Sequence, residues 1–243
     1  MAARQRLDAE LVEQGFFATT DEAMRAVMAG EVSTRDRRLT AAGEQVPRGI
    51  ELHVRGRAPY VSRGGLKLER GLDHFGVDPA GLDCLDVGCS TGGFTDCLLA
   101  RGAATVLAVD VGYAQFSWEL RQDARVCLVE RTRVEDLPAL VGPAVADLAV
   151  CDVSFTSVRR VLPAVCELLR PHGAFLTLVK PQFEAARDEV GEGGVVREAS
   201  VREAAVRAVA EACEEAGLVV RGSCESPVRG HKGNVEYLLL AER

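Results

Sequence analysis

The 243-residue chain is 47% hydrophobic and 27% charged, the composition of a soluble globular protein with one large domain or a small and a medium one. Its net charge of -7 excludes a global electrostatic field that would gather nucleic acid, so any such binding has to use a local patch. No apolar run approaches the roughly 18 to 20 residues of a membrane span, and MAARQRLDAEL lacks the apolar stretch of a secretory signal, so a cytoplasmic protein is expected. The eight cysteines show no CxxC spacing, and neither they nor the four histidines cluster, which predicts reduced thiols and no metal site.

In chain order, residues 6–30 read as two short amphipathic helices. Leu7, Leu11 and Val12 recur at helical spacing and Gly15 ends the first helix. Thr20, followed by Asp21 and Glu22, suits an N-cap; Ala23, Val27 and Met28 form the second apolar face, closed by Gly30. Short strands are predicted at about 31–34 and 50–54. Arg55–Ser62 reads as a linker broken by Pro59.

From residue 64 apolar runs alternate with helical stretches. The strands are CLDVG, TVLAVDV, VCLVE, DLAVCDV, AFLTLVK, LVVRGSC and VEYLLLA, with helices near 64–75, 91–101, 114–122, 157–169 and 198–216. Continuous apolar strands alternating with helices imply an α/β fold with a parallel, doubly wound sheet. Only SPVRGHKG separates the last two strands, which predicts an antiparallel pair. Seven strands ending in such a pair resemble the Rossmann-like methyltransferases. Glu184–Val196, Gly-rich and charged, is expected to be mobile and to close over substrate.

The first strand runs into Asp86–Val87–Gly88–Cys89–Ser90–Thr91–Gly92–Gly93–Phe94, a Gly-rich turn between strand and helix. Such a turn lets backbone approach a ligand closely. Its pattern is not GxGxxG; it resembles the first methyltransferase motif, which wraps the methionine end of S-adenosylmethionine. Asp86 would reach the α-amino group directly or through water. Asp110, 24 residues on, suits the ribose hydroxyls, with Val111 beside it. Glu130–Val134, including Thr132, would flank the adenine.

The fourth strand ends in Asp152–Val153–Ser154–Phe155, without the Asn/Asp-Pro-Pro-aromatic motif that holds a planar amine. The chain has 26 arginines and only three lysines. Two of the three, Lys67 and Lys180, stand with Asp152 and Glu236 where a Rossmann-like sheet gathers its ligand site. A lysine whose pKa is lowered by burial and a neighbouring cation can take the proton of a hydroxyl. Lys180 is the candidate base and Lys67 the second positive charge. The set resembles the Lys-Asp-Lys-Glu tetrad of FtsJ-type ribose 2′-O-methyltransferases.

YVSRGGLKLE, LDVGCSTGGFTDCLLARGA, AVDVGYAQ, CDVSFTSVRRVLP, LVKPQFE, GGVVR and GNVEYLLL follow in the order seen in the TlyA family, also called hemolysin A. This resemblance, over the whole chain, implies 2′-O-methylation of cytidine in ribosomal RNA with S-adenosylmethionine as donor. It implies a ribosomal protein S-four-like RNA-binding domain at 1–56, a linker at 57–62 and an FtsJ-like catalytic domain at 63–243. The Ser-Arg usual at the start of that small domain's second helix is Thr19–Thr20 here, so RNA contact falls to Arg4, Arg6, Arg35, Arg37 and Arg38. Arg55, Arg57 and Arg63 belong to a local basic stretch, Val54–Arg70. A membrane-active hemolysin finds no long apolar or strongly basic amphipathic segment in its favour, and an assembly protein without catalysis conflicts with the intact tetrad. The sequence leaves the nucleotide, the ribosomal subunit and the oligomeric state open.

Overall fold

The computed structural model describes residues 4–14, 16–34, 37–50, 52–56 and 60–243; of residue 231 it describes the backbone alone. Gly15, Arg35 and residues 57–59, the first half of the linker expected at 57–62, lie outside the described residues.

The N-terminal part comprises β1 (Arg4–Arg6), α1 (Leu7–Glu13), α2 (Thr20–Met28), β2 (Val32–Ser33), β3 (Gln45–Pro47) and β4 (His53–Val54). β1 pairs antiparallel with β3, and β2 with β4. Leu7 and Leu11 of α1 meet Ala23 and Val27 of α2, with Phe16, Phe17, Leu39 and Val46, in an apolar cluster whose buried members all fall between residues 7 and 54. Thr19, not Thr20, caps α2: its backbone is extended and its hydroxyl accepts from the Glu22 N–H at 3.3 Å. Thr20 is already helical, which rules it out as a cap. Met28, expected on the apolar face, is 74% exposed. The buried stripe is Ala23, Ala26 and Val27, at i, i+3 and i+4, and Met28 falls off it.

The remainder alternates helices and strands: α3 (Gly64–Phe75), β5 (Asp83–Val87), α4 (Gly93–Ala100), β6 (Thr105–Val109), α5 (Trp118–Arg121), β7 (Val126–Val129), α6 (Leu137–Val141), β8 (Ala146–Cys151), α7 (Val158–Leu168), β9 (Leu169–Val179), α8 (Pro181–Glu184), α9 (Ala199–Glu215), β10 (Val219–Glu225) and β11 (Tyr237–Glu242). Seven of these strands form one sheet in the order β10-β11-β9-β8-β5-β6-β7. The pairs β10–β11 and β11–β9 are antiparallel and the rest parallel. The α/β fold and the antiparallel final pair are as expected. The helix predicted over 114–122 shrinks to α5, because the loop before it turns through a left-handed Ala114.

Side chains alternate across each strand, so one strand feeds two cores. Leu85, Val87, Phe175, Val179 and Leu239 face α7 and α9, where Val161, Val165, Val209 and Cys213 cover them. Cys84, Leu176, Leu178, Leu238 and Leu240 face α3 and α4, under Leu68, Leu72, Cys97 and Leu98. Each fully buried Leu or Val contributes about 1.5 to 3 kcal/mol. Two covered faces explain why these strands read as continuous apolar runs. Among the described residues no helix is long and apolar enough to cross a membrane.

Candidate active site

Parallel strands crossing over in opposite directions leave a crevice at their carboxyl ends. Here it lies between β5, which neighbours β6, and β8, which neighbours β9. The Gly88 N–H bonds to the Val109 carbonyl at 2.9 Å and the Asp152 N–H to the Val87 carbonyl at 3.0 Å, so both loops start from fixed points. Gly88 and Gly92 have φ of 81° and 97°. A Cβ would sit 3.0 Å from the Asp152 carbonyl oxygen at Gly88, and 2.5 Å from Leu120 Cδ1 at Gly92. Ser90 also turns left-handed, at φ 48°, and its N–H meets Asp110 Oδ2 at 2.8 Å.

Two cavities open from this crevice. One, of about 620 Å3, is lined by Gly88, Ser90, Asp110, Val111, Thr132 and Ser154 among others. The other, of about 480 Å3, lies between the two parts of the chain; Thr91, Gly93, Phe94, Lys67 and Leu52 belong to its wall. Gly88, Ser90 and Asp152 line both. The first suits a nucleoside: Asp110 accepts from Gly112 N at 2.6 Å and from Ser90 N, leaving further lone pairs on each oxygen. Val111 and Thr132 flank it at the carboxyl ends of β6 and β7. A Cβ at Gly88 or Gly112, both of which line this cavity, would press on the Asp152 carbonyl or on Asp110 Oδ1, so glycine there leaves these polar groups in place and the expected donor fits.

Asp86 stands near the end of β5, beneath the glycine loop. It is fully buried and lines neither cavity; Thr95 of α4 donates to its Oδ2 at 2.6 Å, while Oδ1 has no hydrogen-bond partner among the described residues. Burial pushes its carboxyl up to about 7, against the Thr95 bond. The Thr95 bond ties β5 to α4 at the base of the glycine loop.

The four expected catalytic residues come together as two ion pairs. Lys67 on α3 donates to Glu236 Oε2 at 2.6 Å. Lys180 Nζ, after β9, stands 2.6 Å from Asp152 Oδ1, off the angle of a good hydrogen bond, and donates to Ser154 Oγ at 2.8 Å. Lys180 and Glu236 are 7% and 2% exposed. Burial alone would push the Asp152 carboxyl up; the Lys180 and Lys67 cations outweigh it and hold it low. Burial alone would lower the Lys180 ammonium; Asp152 and Glu236 outweigh it, so its pKa rises. This reverses the lowered lysine expected from sequence: two anions next to Lys180 exceed the effect of burial and of one neighbouring cation.

Several site residues escaped the sequence reading. Ser154 receives the Lys180 bond. Gly230 lies against the Glu236 carboxylate, where a Cβ would come within 1.9 Å of Oε1. Asn234 accepts from Val196 N at 3.0 Å and donates to the Gly194 carbonyl at 2.9 Å. With the Gly191–Val195 bridge, these bonds fasten the segment expected to be mobile. Glu184, at its start, is buried. The only signals available were their spacings from the lysines and Glu236. Phe155 stands at the mouth of the first cavity with φ 62°, 92% exposed, its ring 5.3 Å from that of Phe183.

The expected RNA-contacting arginines divide. Arg37, Arg38 and Arg55 line a groove of about 470 Å3 on the N-terminal part, and His53 and Val54 line both this groove and the 480 Å3 cavity. Arg37 is also paired with Glu44. Arg63 reaches the Gly49 carbonyl at 3.2 Å and lines the 480 Å3 cavity. Arg4 bonds the Gln45 carbonyl and Arg6 pairs with Asp8, each at 2.5 Å, away from the groove. Among the described residues no group of three or more His, Cys, Asp or Glu is placed to hold a metal ion.

A doubly wound seven-stranded sheet with an antiparallel end and a glycine loop at its switch point defines a Rossmann-like methyltransferase. The FtsJ-like methyltransferase family model matches residues 60–243. The chain is 43% identical over 242 residues to the 16S/23S rRNA (cytidine-2′-O)-methyltransferase TlyA of Mycobacterium tuberculosis, covering 98% of this chain and 90% of that one. A solved structure named "Putative hemolysin from Streptococcus thermophilus" superposes with a TM-score of 0.77 at 40% identity, covering 100% of this chain and 90% of that one. The S-adenosylmethionine dependent methyltransferase of Mesorhizobium loti, at 17% identity, shares the fold with a TM-score of 0.53 over 72% of this chain and 96% of that one. The chain therefore belongs to the FtsJ-like methyltransferase family, alongside TlyA and hemolysin A homologues, and is an enzyme whose donor is S-adenosylmethionine.

Proposed function

We propose that this enzyme methylates the 2′-hydroxyl of a ribose in ribosomal RNA, at cytidine, in the cytoplasm. The observation that carries the reading is the pairing of two lysines with two carboxylates at the switch point, where an amine-methylating enzyme would carry a Pro-Pro-aromatic loop. A hydroxyl, unlike an aromatic amine, has to lose its proton as it attacks, and a lysine can take it.

Bound S-adenosylmethionine supplies an electrophilic methyl group on a cationic sulfur. Asp110, Val111 and Thr132 hold its nucleoside end, and the Gly88–Phe94 loop, including Ser90, Thr91, Gly92 and Gly93, holds its methionine end. Asp86 supports that loop through Thr95. Lys180 Nζ, once neutral, would accept the proton that the ribose hydroxyl gives up as it takes the methyl group. Asp152 and Ser154 aim Lys180; Glu236 aims Lys67, whose ammonium steadies the developing oxyanion. Alignment of this kind is worth several kcal/mol.

Residues 1–56 serve as the RNA-binding domain, 57–62 as linker and 63–243 as catalytic domain. Arg37, Arg38 and Arg55 grip phosphate in the groove, and His53 stands where the strand passes from groove to active site. Arg63 extends the contact, whereas Arg4 and Arg6 support the small domain internally. The named relative that methylates cytidine supports the acceptor. The test is incubation with radiolabelled S-adenosylmethionine and unmodified ribosomal subunits, followed by mapping of the labelled ribose. Label at a cytidine 2′-oxygen is expected; label on a base, or none in RNA, overturns the reading.

A further inference from the structure

Asp152 and Lys180 directly follow different strands, β8 and β9, and each opens the segment that leaves its strand. The distance between them depends on what joins those loops. Asp152 leads through Ser154, Phe155 and Ser157 into α7, whereas Lys180 leads straight into the single turn of α8, whose last residue is Glu184.

Glu184 turns its carboxylate across to the other loop. Its Oε2 accepts from Ser157 Oγ at 2.5 Å and from Arg159 Nε at 3.3 Å, and its Oε1 accepts from the Val158 N–H at 2.7 Å. Arg159 returns a bond to the Glu184 carbonyl at 3.2 Å. The side chain is 1% exposed. A carboxylate so enclosed keeps its place only if its lone pairs are satisfied, and here every bond reaches the other loop. The contact also places a negative charge at the N-terminus of α7, where the helix dipole favours it.

We infer that Glu184 is a positioning residue for methyl transfer: it buckles the loop after Lys180 to the loop after Asp152 and so fixes the Lys180–Asp152–Ser154 contact. It touches neither donor nor acceptor. The proposal rests on the reading of Lys180 as the base. Without the Glu184 carboxylate, α8 is joined to α7 and the loop before it by the Arg159 bond to the carbonyl of residue 184, by the Phe155–Phe183 ring contact and by the lysine itself.

The experiment compares Glu184→Ala and Glu184→Gln with wild type in the full-length enzyme. Glu184→Ala should lower kcat about a hundredfold, the cost of misplacing a catalytic group by about 1 Å, with the Kd for S-adenosylmethionine within threefold. Glu184→Gln keeps an acceptor for Val158 N and should recover to within about tenfold of wild type. A second readout needs no activity: amine acetylation followed by mass spectrometry. Lys180 should label faster in Glu184→Ala, while Lys67, held on α3, labels at the wild-type rate. A wild-type kcat per folded molecule with unchanged Lys180 labelling overturns the inference, even if Glu184→Ala melts earlier. Faster Lys180 labelling in an enzyme that methylates no ribose would sink the base assignment while leaving the buckle standing.

Discussion

Replacing Gly230 by alanine should disable catalysis without touching the donor. Gly230 lies outside the left-handed region, so alanine brings no backbone strain, only a methyl group. That Cβ would lie 1.9 Å from Glu236 Oε1 and 2.4 Å from Cδ, so reaching the 3.4 Å of ordinary contact takes a retreat of about 1.5 Å. Glu236 is 2.6 Å from Lys67. At an effective dielectric of about 20, opening the pair to about 4 Å gives up about 2 kcal/mol. Together with the misaligned ammonium, kcat should fall thirty- to a hundredfold, roughly. Steady-state methylation of ribosomal subunits measures this, with calorimetry for the donor, whose Kd should hold within threefold. Gly233→Ala is the control: among the described residues nothing lies within 4 Å of its Cβ, and its φ of 87° brings strain of about 1 to 2 kcal/mol alone. The decisive arm is Gly230→Ala in a Glu236→Ala background. If the methyl acts through Glu236, it costs nothing further there. A Gly230→Ala enzyme with wild-type kcat, or one whose loss persists undiminished without Glu236, would refute the reasoning.

Three further outcomes follow from the same geometry. Lys180→Ala and Lys180→Arg should both stop methyl transfer while the Kd for the donor stays within threefold; an active arginine variant excludes a proton-accepting role, since arginine stays charged. Gly92→Ala sets a Cβ 2.5 Å from Leu120 Cδ1 on a backbone at φ 97°, so donor affinity should drop at least tenfold by calorimetry, and unchanged affinity would remove the loop from the donor site. Arg38→Ala should weaken RNA binding and reduce the slope of log K against log salt by about one, with kcat at saturating RNA unchanged; an unaltered slope means the groove does not hold phosphate.

The sheet was legible because buried parallel strands leave unbroken apolar runs such as LAVC and FLTLV, and the glycine loop because its backbone excludes side chains at Gly88 and Gly92. The tetrad was legible through scarcity: with lysine nearly absent, Lys67 and Lys180 stood out. What stayed hidden depended on contacts distant in sequence. Glu184 reads as one more acid until α7 is seen against it, and Asn234 reads as a turn residue until Val196 reaches it. β1 hid because Arg-Gln-Arg has no apolar alternation; its pairing with β3 is made by backbone. The direction of the Lys180 shift was missed for a related reason. Spacing grouped two lysines with two carboxylates, but only the fold showed that the carboxylates outweigh burial at Lys180.

That shift makes the protonation of Lys180 the sharpest remaining test. Its pKa lies above the ordinary lysine value, since Asp152 and Glu236 outweigh burial. A base has to be neutral, so the rate should climb as pH rises through that value. Stability runs the other way: a raised folded-state pKa contributes stability fully present below the unfolded lysine value and lost as pH passes the folded one. kcat/KM reports the free enzyme and kcat the loaded one. Free Lys180 is held as a cation by two anions in a site whose four charges balance. Adding a positive charge beside them disfavours the cation. The ascending limb of kcat should therefore lie at lower pH than that of kcat/KM. Asp152→Asn removes one anion and should move the kcat/KM limb to lower pH, while lowering the plateau because Lys180 loses its guide. Rate profiles carried to about pH 11.5 in short incubations, past the ordinary lysine value of about 10.4, settle it. Coincident limbs, or an Asp152→Asn limb that stays put or moves to higher pH, would show that the titrating base is a group other than Lys180.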